Sequence, residues 1–320
     1  MKIFLIFLLF TISLYSQDLV NTYRFNGINK VQTILEQKIQ SKSYWIDKLK
    51  NQNVIYGYYE RSSFILLCNK SLKILKIYKV QNGENKELLK FNNIIVGKFG
   101  QKHKEGDLIT PIGVYSLKYK IIPKNTFYGP LAFVISYPNL YDKLHNHDGY
   151  GIWIHGKPLD GERGDVSKGC IVLNNSDLIK LSNTISYANT VLQIYQSPIF
   201  ATKKDIASIL SMLYQWRYAW EKSNFKKYLS FYDKDFKRSN HDNLNKFIQY
   251  KKNIFKLREH QKVKIFFKKI TIVPYQNFKN IDMYRVSFYE KYYAPNFTFK
   301  GDKEIFVRKR GNNFKIFIEK

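Results

Sequence analysis

Cysteine is nearly absent, with two residues in a chain of 320, too few to staple a fold of this size with disulfides. Long apolar runs are missing as well. The most hydrophobic stretch, Ile3 to Leu14, falls short of the ~20 residues that a bilayer-spanning helix needs. Acidic side chains are scarce, 25 Asp and Glu against 53 Lys and Arg, which leaves a formal net charge of +28. Such a charge raises the question of nucleic-acid binding, but the basic residues are scattered along the chain and form no nucleic-acid motif. A composition rich in Lys, Asn and Tyr accounts for them without a nucleic-acid partner. The sequence also lacks a glycine-rich nucleotide loop and a paired-carboxylate signature. One metal-like pair exists, His145-x-His147 beside Asp148, but it has none of the further ligands that zinc requires. It reads as a solvated loop or pocket rim, so neither metal nor cofactor is expected.

What is present is a histidine and a cysteine, each set beside glycine. Ile154-His155-Gly156 comes first, and the cysteine of Ser167-Lys168-Gly169-Cys170-Ile171-Val172-Leu173-Asn174 stands fifteen residues past the histidine. A thiol attacks carbonyls as thiolate, and a neighbouring imidazole draws off its proton at neutral pH. Glycine beside each group lets backbone N–H and C=O come close to a reacting carbonyl. The pattern marks Cys170 as a nucleophile and His155 as its general base. Cys68, inside Phe64-Ile65-Leu66-Leu67-Cys68, reads instead as a buried, unpaired strand residue. A bridge between the two is not expected, because it would consume the nucleophile.

The flanks of these residues resemble the L,D-transpeptidase catalytic domain, the YkuD-type fold of bacterial cell-wall enzymes. That family carries His-Gly, then Ser-His-Gly-Cys-Ile-Arg with a hydrophobic residue after it, then Asn-x-Asp. This chain has His155-Gly156, then Ser167, Gly169, Cys170, Ile171 and Leu173, then Asn175-Ser176-Asp177. Upstream, Gly97-Lys98 leads to Gly106-Asp107-Leu108-Ile109-Thr110-Pro111-Ile112-Gly113-Val114-Tyr115. That segment is similar to the family's Gly…Thr-Pro-x-Gly-x-(Tyr/Phe). Lys168 stands where the family has its second histidine, and Val172 where it has an arginine credited with positioning substrate or the active-site loop. The Ser-Lys-Gly-Cys form resembles a branch with L,D-carboxypeptidases of curved and helical bacteria related to Campylobacter and Helicobacter. Those enzymes trim peptidoglycan stem peptides and help set cell shape.

The resemblance implies that Cys170 attacks the carbonyl of a meso-diaminopimelate–D-alanine bond. It also implies that the Gly156 carbonyl orients His155, with the N–H groups of Gly169 and Cys170 as oxyanion donors. Water would then release a tripeptide stem, whereas a second stem's amine would form a 3-3 crosslink. Lys168 is either a solvated loop lysine or a ligand for a stem carboxylate. Arg163, in the Gly161-Glu162-Arg163-Gly164 loop, is a further candidate for that carboxylate, and Ser167 joins the substrate-binding set. Trp153 shares a strand face with His155 and either walls the cleft or packs in the core. The expected function is an exported cysteine L,D-carboxypeptidase acting on muropeptides. A crosslinking L,D-transpeptidase and a non-catalytic wall-binding module are the alternatives. The net charge would favour adsorption to anionic peptidoglycan or membrane.

Lys2 ahead of the apolar run, with Ser13 and Ser16 at its end, reads as an export signal over 1–16, placing the protein in the periplasm. Residues 17–56 carry Val31, Ile34, Leu35, Ile39, Trp45, Ile46 and Leu49 at broadly helical spacing. They form a short helical element that braces the catalytic domain or, in the alternative, serves as a homodimer arm. A mostly-β catalytic domain is expected over 57–197, with strands near 64–67, 72–80, 88–96, 114–119, 131–137, 151–155 and 170–173. A capped helix follows from Asn175. Beyond Gln196-Ser197-Pro198, Thr202 opens a helix with Ile206, Ile209, Leu210, Leu213, Trp216 and Trp220 on one face. Helices over 225–232 and 243–257 and strands over 263–273, 283–292, 296–308 and 314–319 complete the chain. That order resembles an NTF2-like cone over 198–320, whose pocket is expected to take a glycan or small ligand. The fold class is mixed α+β.

Overall fold

The computed structural model of the chain describes residues 18–259, 261–277 and 281–320; the export signal read at 1–16 lies outside them. Helices α1 (Leu19–Gln40) and α2 (Lys42–Lys48) come first. The Asp18 carboxylate accepts from the Val20 and Asn21 amides and caps α1. Gly27, at φ 75°, divides α1 into two segments, a left-handed conformation that costs glycine little.

The short strand β1 (Tyr58–Tyr59) precedes β2 (Ser63–Asn69), β3 (Ile74–Gln81), β4 (Glu84–Phe91), β5 (Gly113–Ile121) and β6 (Ala132–Ile135). The helix α3 (Leu140–Leu144), strands β7 (Trp153–His155) and β8 (Ile171–Val172), helix α4 (Asn175–Thr184) and strand β9 (Thr190–Tyr195) follow. β2 to β9 form one sheet in the order β4-β3-β2-β9-β5-β6-β7-β8. β2 is paired antiparallel to β3 and parallel to β9, and its burial on both faces explains its unbroken apolar run. Cys68 within it is fully buried and free. β3 and β4 meet in a tight hairpin through Asn82 and Gly83, both left-handed at φ 54° and 80°, as two-residue hairpin turns require. β4 therefore starts at Glu84 and ends at Phe91, whereas the apolar run suggests a strand over 88–96. Ile94 and Val96 lie past its end and pack into the core.

The rest of the chain forms α5 (Lys203–Glu221), α6 (Phe225–Leu229), β10 (Tyr232–Arg238), α7 (Leu244–Leu257), β11 (Lys264–Pro274), β12 (Met283–Ala294), β13 (Phe297–Arg310) and β14 (Asn313–Glu319). The Thr202 hydroxyl accepts the Asp205 N–H at 3.0 Å, and Ile206, Ile209, Leu210 and Leu213 are fully buried. The second sheet runs β1-β11-β12-β13-β14-β10. The sequence extends a helix to Tyr232, but α6 stops at Leu229 and Tyr232 opens β10. Buried polar bonds override helical propensity there. The Tyr232 hydroxyl meets Trp216 Nε1, the Tyr228 hydroxyl and Glu319, and Asp233 accepts from Arg308 and Arg310. Because β1 pairs with β11, Tyr58 opposite Ile272, residues 58–59 belong to the second sheet although they precede the first.

The amino-terminal helices also join this second half. The sequence places them against the catalytic domain or a second subunit; the structure docks them on α5. Glu36 pairs with Arg217, and the Gln40 carbonyl accepts from Ser211 Oγ at 2.6 Å and Gln215 Nε2 at 3.0 Å. Trp45 stacks on Tyr214 with ring centroids 5.5 Å apart. Arg217 is only 6% exposed, so removing its direct partner leaves a buried cation with only the more distant charge of Glu221 to offset it. Glu36→Ala is expected to cost about 2–3 kcal/mol. The loss would appear as a lower urea midpoint, and an unchanged midpoint would mean that the ion pair does not hold the arm.

Candidate active site

β7 and β8 lie side by side and parallel, Ile154 opposite Ile171 and His155 opposite Val172. Side chains alternate between faces, so Ile154 and Ile171 enter the core at zero exposure. Trp153 and His155 take the other face, and Cys170, one residue before β8, falls beside them. The Trp153 N–H points at Cys170 Sγ at 3.4 Å, and Sγ in turn lies 3.5 Å from the Gly151 carbonyl. Cys170 is a free thiol.

The turn before it is built on Gly169, at φ +119°. A Cβ there would stand 2.9 Å from Ile152 Cδ1 and 3.1 Å from the Ile109 carbonyl. Ser167 closes the turn: its hydroxyl donates to the Cys170 carbonyl at 2.6 Å and accepts the Gly169 N–H at 3.1 Å. This bond commits to the loop's own structure the N–H that the resemblance assigns to an oxyanion. It likewise gives Ser167, 2% exposed, a structural task in place of substrate contact.

His155 is fully buried. Its Nδ1 lies 2.7 Å from the Gly156 carbonyl, an atom that can only accept. Nδ1 therefore carries the proton and Nε2 keeps its lone pair. Nε2 is buried without a hydrogen-bond partner. Burial, aided by the charge of Arg163 and opposed by the Gly156 bond, lowers the imidazole pKa to about 4. Burial also raises the Cys170 thiol, against the opposing pull of the Trp153 N–H and of the Arg163 and Lys102 charges. The pair thus rests as neutral imidazole and neutral thiol. A side chain at Gly156 would have to displace the Asn175 amide: a Cβ there would fall 2.1 Å from Asn175 Oδ1 and 3.1 Å from Pro130 Cδ.

The upstream Gly…Thr-Pro segment forms a strap behind the turn. The Gly97 N–H donates to Thr110 Oγ1 at 2.7 Å, and the Lys98 N–H to the Leu108 carbonyl at 2.8 Å. The Ser167 N–H donates to the Val96 carbonyl at 3.0 Å. Lys70, with zero exposure, ties the strap down through the carbonyls of Gly100 at 2.8 Å and Thr110 at 2.5 Å. Burial lowers its ammonium pKa to about 8. Its sequence context, a lysine after an apolar strand, gives no sign of this task.

Of the other residues singled out from sequence, Lys168 is exposed. Trp153 is half-buried, and Tyr128 packs against it and against His155, with centroids 5.0 Å away in both pairs. Tyr128 went unnoticed in the sequence because it sits in a polar turn far from the motif. Arg163, expected in an exposed loop, folds back so that its guanidinium stacks over Phe127 at 4.8 Å and its charge bears on both Cys170 and His155. The histidines of His145-x-His147 are engaged by the protein: His145 Nδ1 with the Tyr141 carbonyl at 2.8 Å, and His147 with Asp142 at 3.5 Å. No group of metal-ligating side chains occurs among the described residues.

A cavity of about 510 Å³ opens in the carboxy-terminal half. Trp216 and Trp220, core residues on the sequence pattern, line it together with Lys251, Arg258 and Glu290. The Lys251 ammonium stands 4.1 Å from the Trp220 ring centroid, and burial lowers its pKa to about 8.

A mostly-β domain carrying a histidine at the end of one strand and a thiol just before the neighbouring strand, joined to an α+β cone, defines a two-domain thiol enzyme of the L,D-transpeptidase class. Residues 63–194 match the family model of the L,D-transpeptidase catalytic domain (YkuD) and residues 208–320 that of the Cds6 C-terminal NTF2-like domain. The chain belongs to the L,D-transpeptidase (YkuD) family, with an NTF2-like domain at its carboxy terminus. It is similar to the helical cell shape determining protein Pgp2 from Campylobacter jejuni, at 40% identity and a TM-score of 0.83, over 88% of this chain and 99% of that one. Bd1075 from Bdellovibrio bacteriovorus is 28% identical, with a TM-score of 0.66, over 83% of this chain and 96% of that one. YafK of Escherichia coli (strain K12), which bears the name of an L,D-transpeptidase, is 30% identical over 122 residues, 37% of this chain. The match spans 46% of that curated relative's length.

Proposed function

We propose that the protein is a periplasmic cysteine L,D-carboxypeptidase that removes the terminal D-alanine from peptidoglycan tetrapeptide stems and contributes to cell shape. Its catalytic domain would span 57–197, with Tyr58 and Tyr59 lending their strand to the second sheet, and its NTF2-like domain 198–320, with the cavity at Trp216 and Trp220 open to a glycan or small ligand. The observation that carries the catalytic reading is the buried, unpartnered Nε2 lone pair of His155 on the same sheet face as the free Cys170 thiol.

In the reaction the thiol turns from Gly151 toward Nε2 and gives up its proton as sulfur bonds to the diaminopimelate carbonyl carbon. The imidazolium passes that proton to the nitrogen of D-alanine as the C–N bond breaks, leaving a thioester. Water then attacks the thioester and loses a proton to Nε2, and the tripeptide carboxylate departs as the thiol is restored. The Gly156 carbonyl keeps the imidazole in the required tautomer throughout, the task a carboxylate performs in other triads. A neutral resting pair fits a site that forms its thiolate only as the carbonyl arrives.

The test is mass spectrometry of purified tetrapeptide muropeptides incubated with the protein and with its Cys170→Ala variant. Loss of one D-alanine, dependent on Cys170, is the expected result. Diaminopimelate-to-diaminopimelate dimers would assign crosslinking instead. No Cys170-dependent change would leave a wall-binding module.

A further inference from the structure

We propose that Arg163 binds the free carboxylate of the departing D-amino acid and so restricts the site to stems that end one residue beyond the scissile bond. This inference deepens the carboxypeptidase reading and rests on it. Three cations are concerned with the cysteine turn. Lys168, beside Cys170 in sequence, is exposed. Lys102 bears on Cys170 but is already engaged, by Asp107 at 2.7 Å and the Lys104 carbonyl at 2.9 Å. Arg163 alone of the three has buried donors left over: its Nε and Nη1 are shut off from water and have no hydrogen-bond partner.

Unpaired buried donors on a guanidinium are costly to keep, and this one had nearer choices. Asp160, Glu162 and Asp165 share its loop, yet all three remain exposed and none forms an ion pair with it among the described residues. The Phe127 ring instead supports the guanidinium from one side, at 4.8 Å. Nε–H and Nη1–H leave the guanidinium along different edges, and either offers an entering carboxylate a charge-assisted bond.

The place of that carboxylate follows from the chemistry. Arg163 lies over Phe127, whose ring centroid is 5.4 Å from that of Tyr128, and Tyr128 in turn packs 5.0 Å from His155; the charge of Arg163 bears on Cys170 and His155. A carboxylate held within such reach of the nucleophile belongs to the residue joined to the attacked carbonyl, not to one several bonds further along the stem. Its arrival also neutralises a charge that disfavours protonation of His155, so the base strengthens when the correct substrate is bound. Val172, at the family's arginine position, carries no cation; Arg163 brings one in from a different loop.

The test separates binding from turnover. In a Cys170→Ala background, titration calorimetry compares a tetrapeptide ending in D-alanine with the same peptide ending in D-alanine amide. The acid is expected to bind ~10–100-fold tighter, the range of one charge-assisted pair. Adding Arg163→Gln is expected to abolish the preference, and Arg163→Lys to restore part of it. Equal affinity for acid and amide before the Arg163 change, or a preference that survives Arg163→Gln, overturns the proposal. An unaltered thermal midpoint for the Arg163→Gln protein distinguishes lost recognition from lost folding. Turnover of the acid by the unaltered enzyme, followed separately, tests the carboxypeptidase reading itself.

Discussion

Turnover of a His155→Gln variant is expected to fall by ~10³–10⁴-fold, while the folded protein becomes more resistant to acid. The two effects share a cause. Nε2 of His155 is the buried, unpartnered lone pair proposed as the base, and Nδ1 is spent on Gly156; glutamine offers no base in its place. The same burial holds the imidazole pKa at about 4, below the ~6.5 of an unfolded chain. Between those values the unfolded state binds a proton that the native state refuses. Stability of the unaltered protein is therefore fully present above pH 6.5 and is lost as pH falls toward 4, by on the order of 3 kcal/mol for this group. Glutamine does not titrate, so that share of the acid loss disappears. The acid limb of kcat/KM in the unaltered enzyme should likewise lie below the ordinary histidine range. Turnover and urea midpoints at pH 4.5 and 7.5 decide the matter. A variant that retains turnover removes His155 from the chemistry; one that loses turnover without gaining relative acid stability would mean the imidazole is not held neutral by burial.

The histidine and the cysteine were legible in the sequence because what they need is local. Glycine beside each group, a short apolar run and the strand alternation that places Trp153 with His155 can all be read without the fold. What surrounds them cannot. Tyr128 meets His155 only because β6 pairs with β7 and brings the preceding turn over the imidazole. Lys70 looks like a surface lysine and is one of the most buried side chains in the molecule. Arg163 sits between glycines in a charged loop, a pattern that predicts solvent, and only tertiary folding turns it onto Phe127. The same holds for the second half: a polar segment such as Tyr232–Arg238 becomes a strand because Asp233 is neutralised by Arg308 and Arg310 from β13. Ser167 shows the converse error. Its place in the motif suggests a substrate contact, but its hydroxyl is used in shaping the turn that holds the thiol.

Gly97→Ala is expected to destabilise the protein by about 2–4 kcal/mol and to lower turnover by ~10²-fold, although Gly97 lies far from the cysteine in sequence. A Cβ at this position would stand 2.3 Å from the Leu108 carbonyl oxygen, 2.9 Å from the Thr110 nitrogen and 3.1 Å from the Gly169 nitrogen. All three are backbone atoms, so no side chain can swing aside to make room. The strap itself must move, and Gly169 is the residue that aims Cys170. Displacing it by even a fraction of an ångström moves sulfur relative to Nε2 and to the carbonyl that the proposed reaction has it attack. Gly100 and Gly106 supply the control. Both are left-handed, at φ +97° and +79°, but a Cβ at either would meet no atom within 4 Å. Alanine at either position costs only backbone strain, about 1 kcal/mol, and turnover should stay as it was. Urea midpoints and kcat for the three variants make the comparison. If Gly97→Ala behaved like the other two, the upstream segment would be a stabilising strap with no hold on the nucleophile. A loss of turnover at Gly97 alone ties the two motifs into one device: the first sets the backbone of the turn, and the second carries the thiol on it.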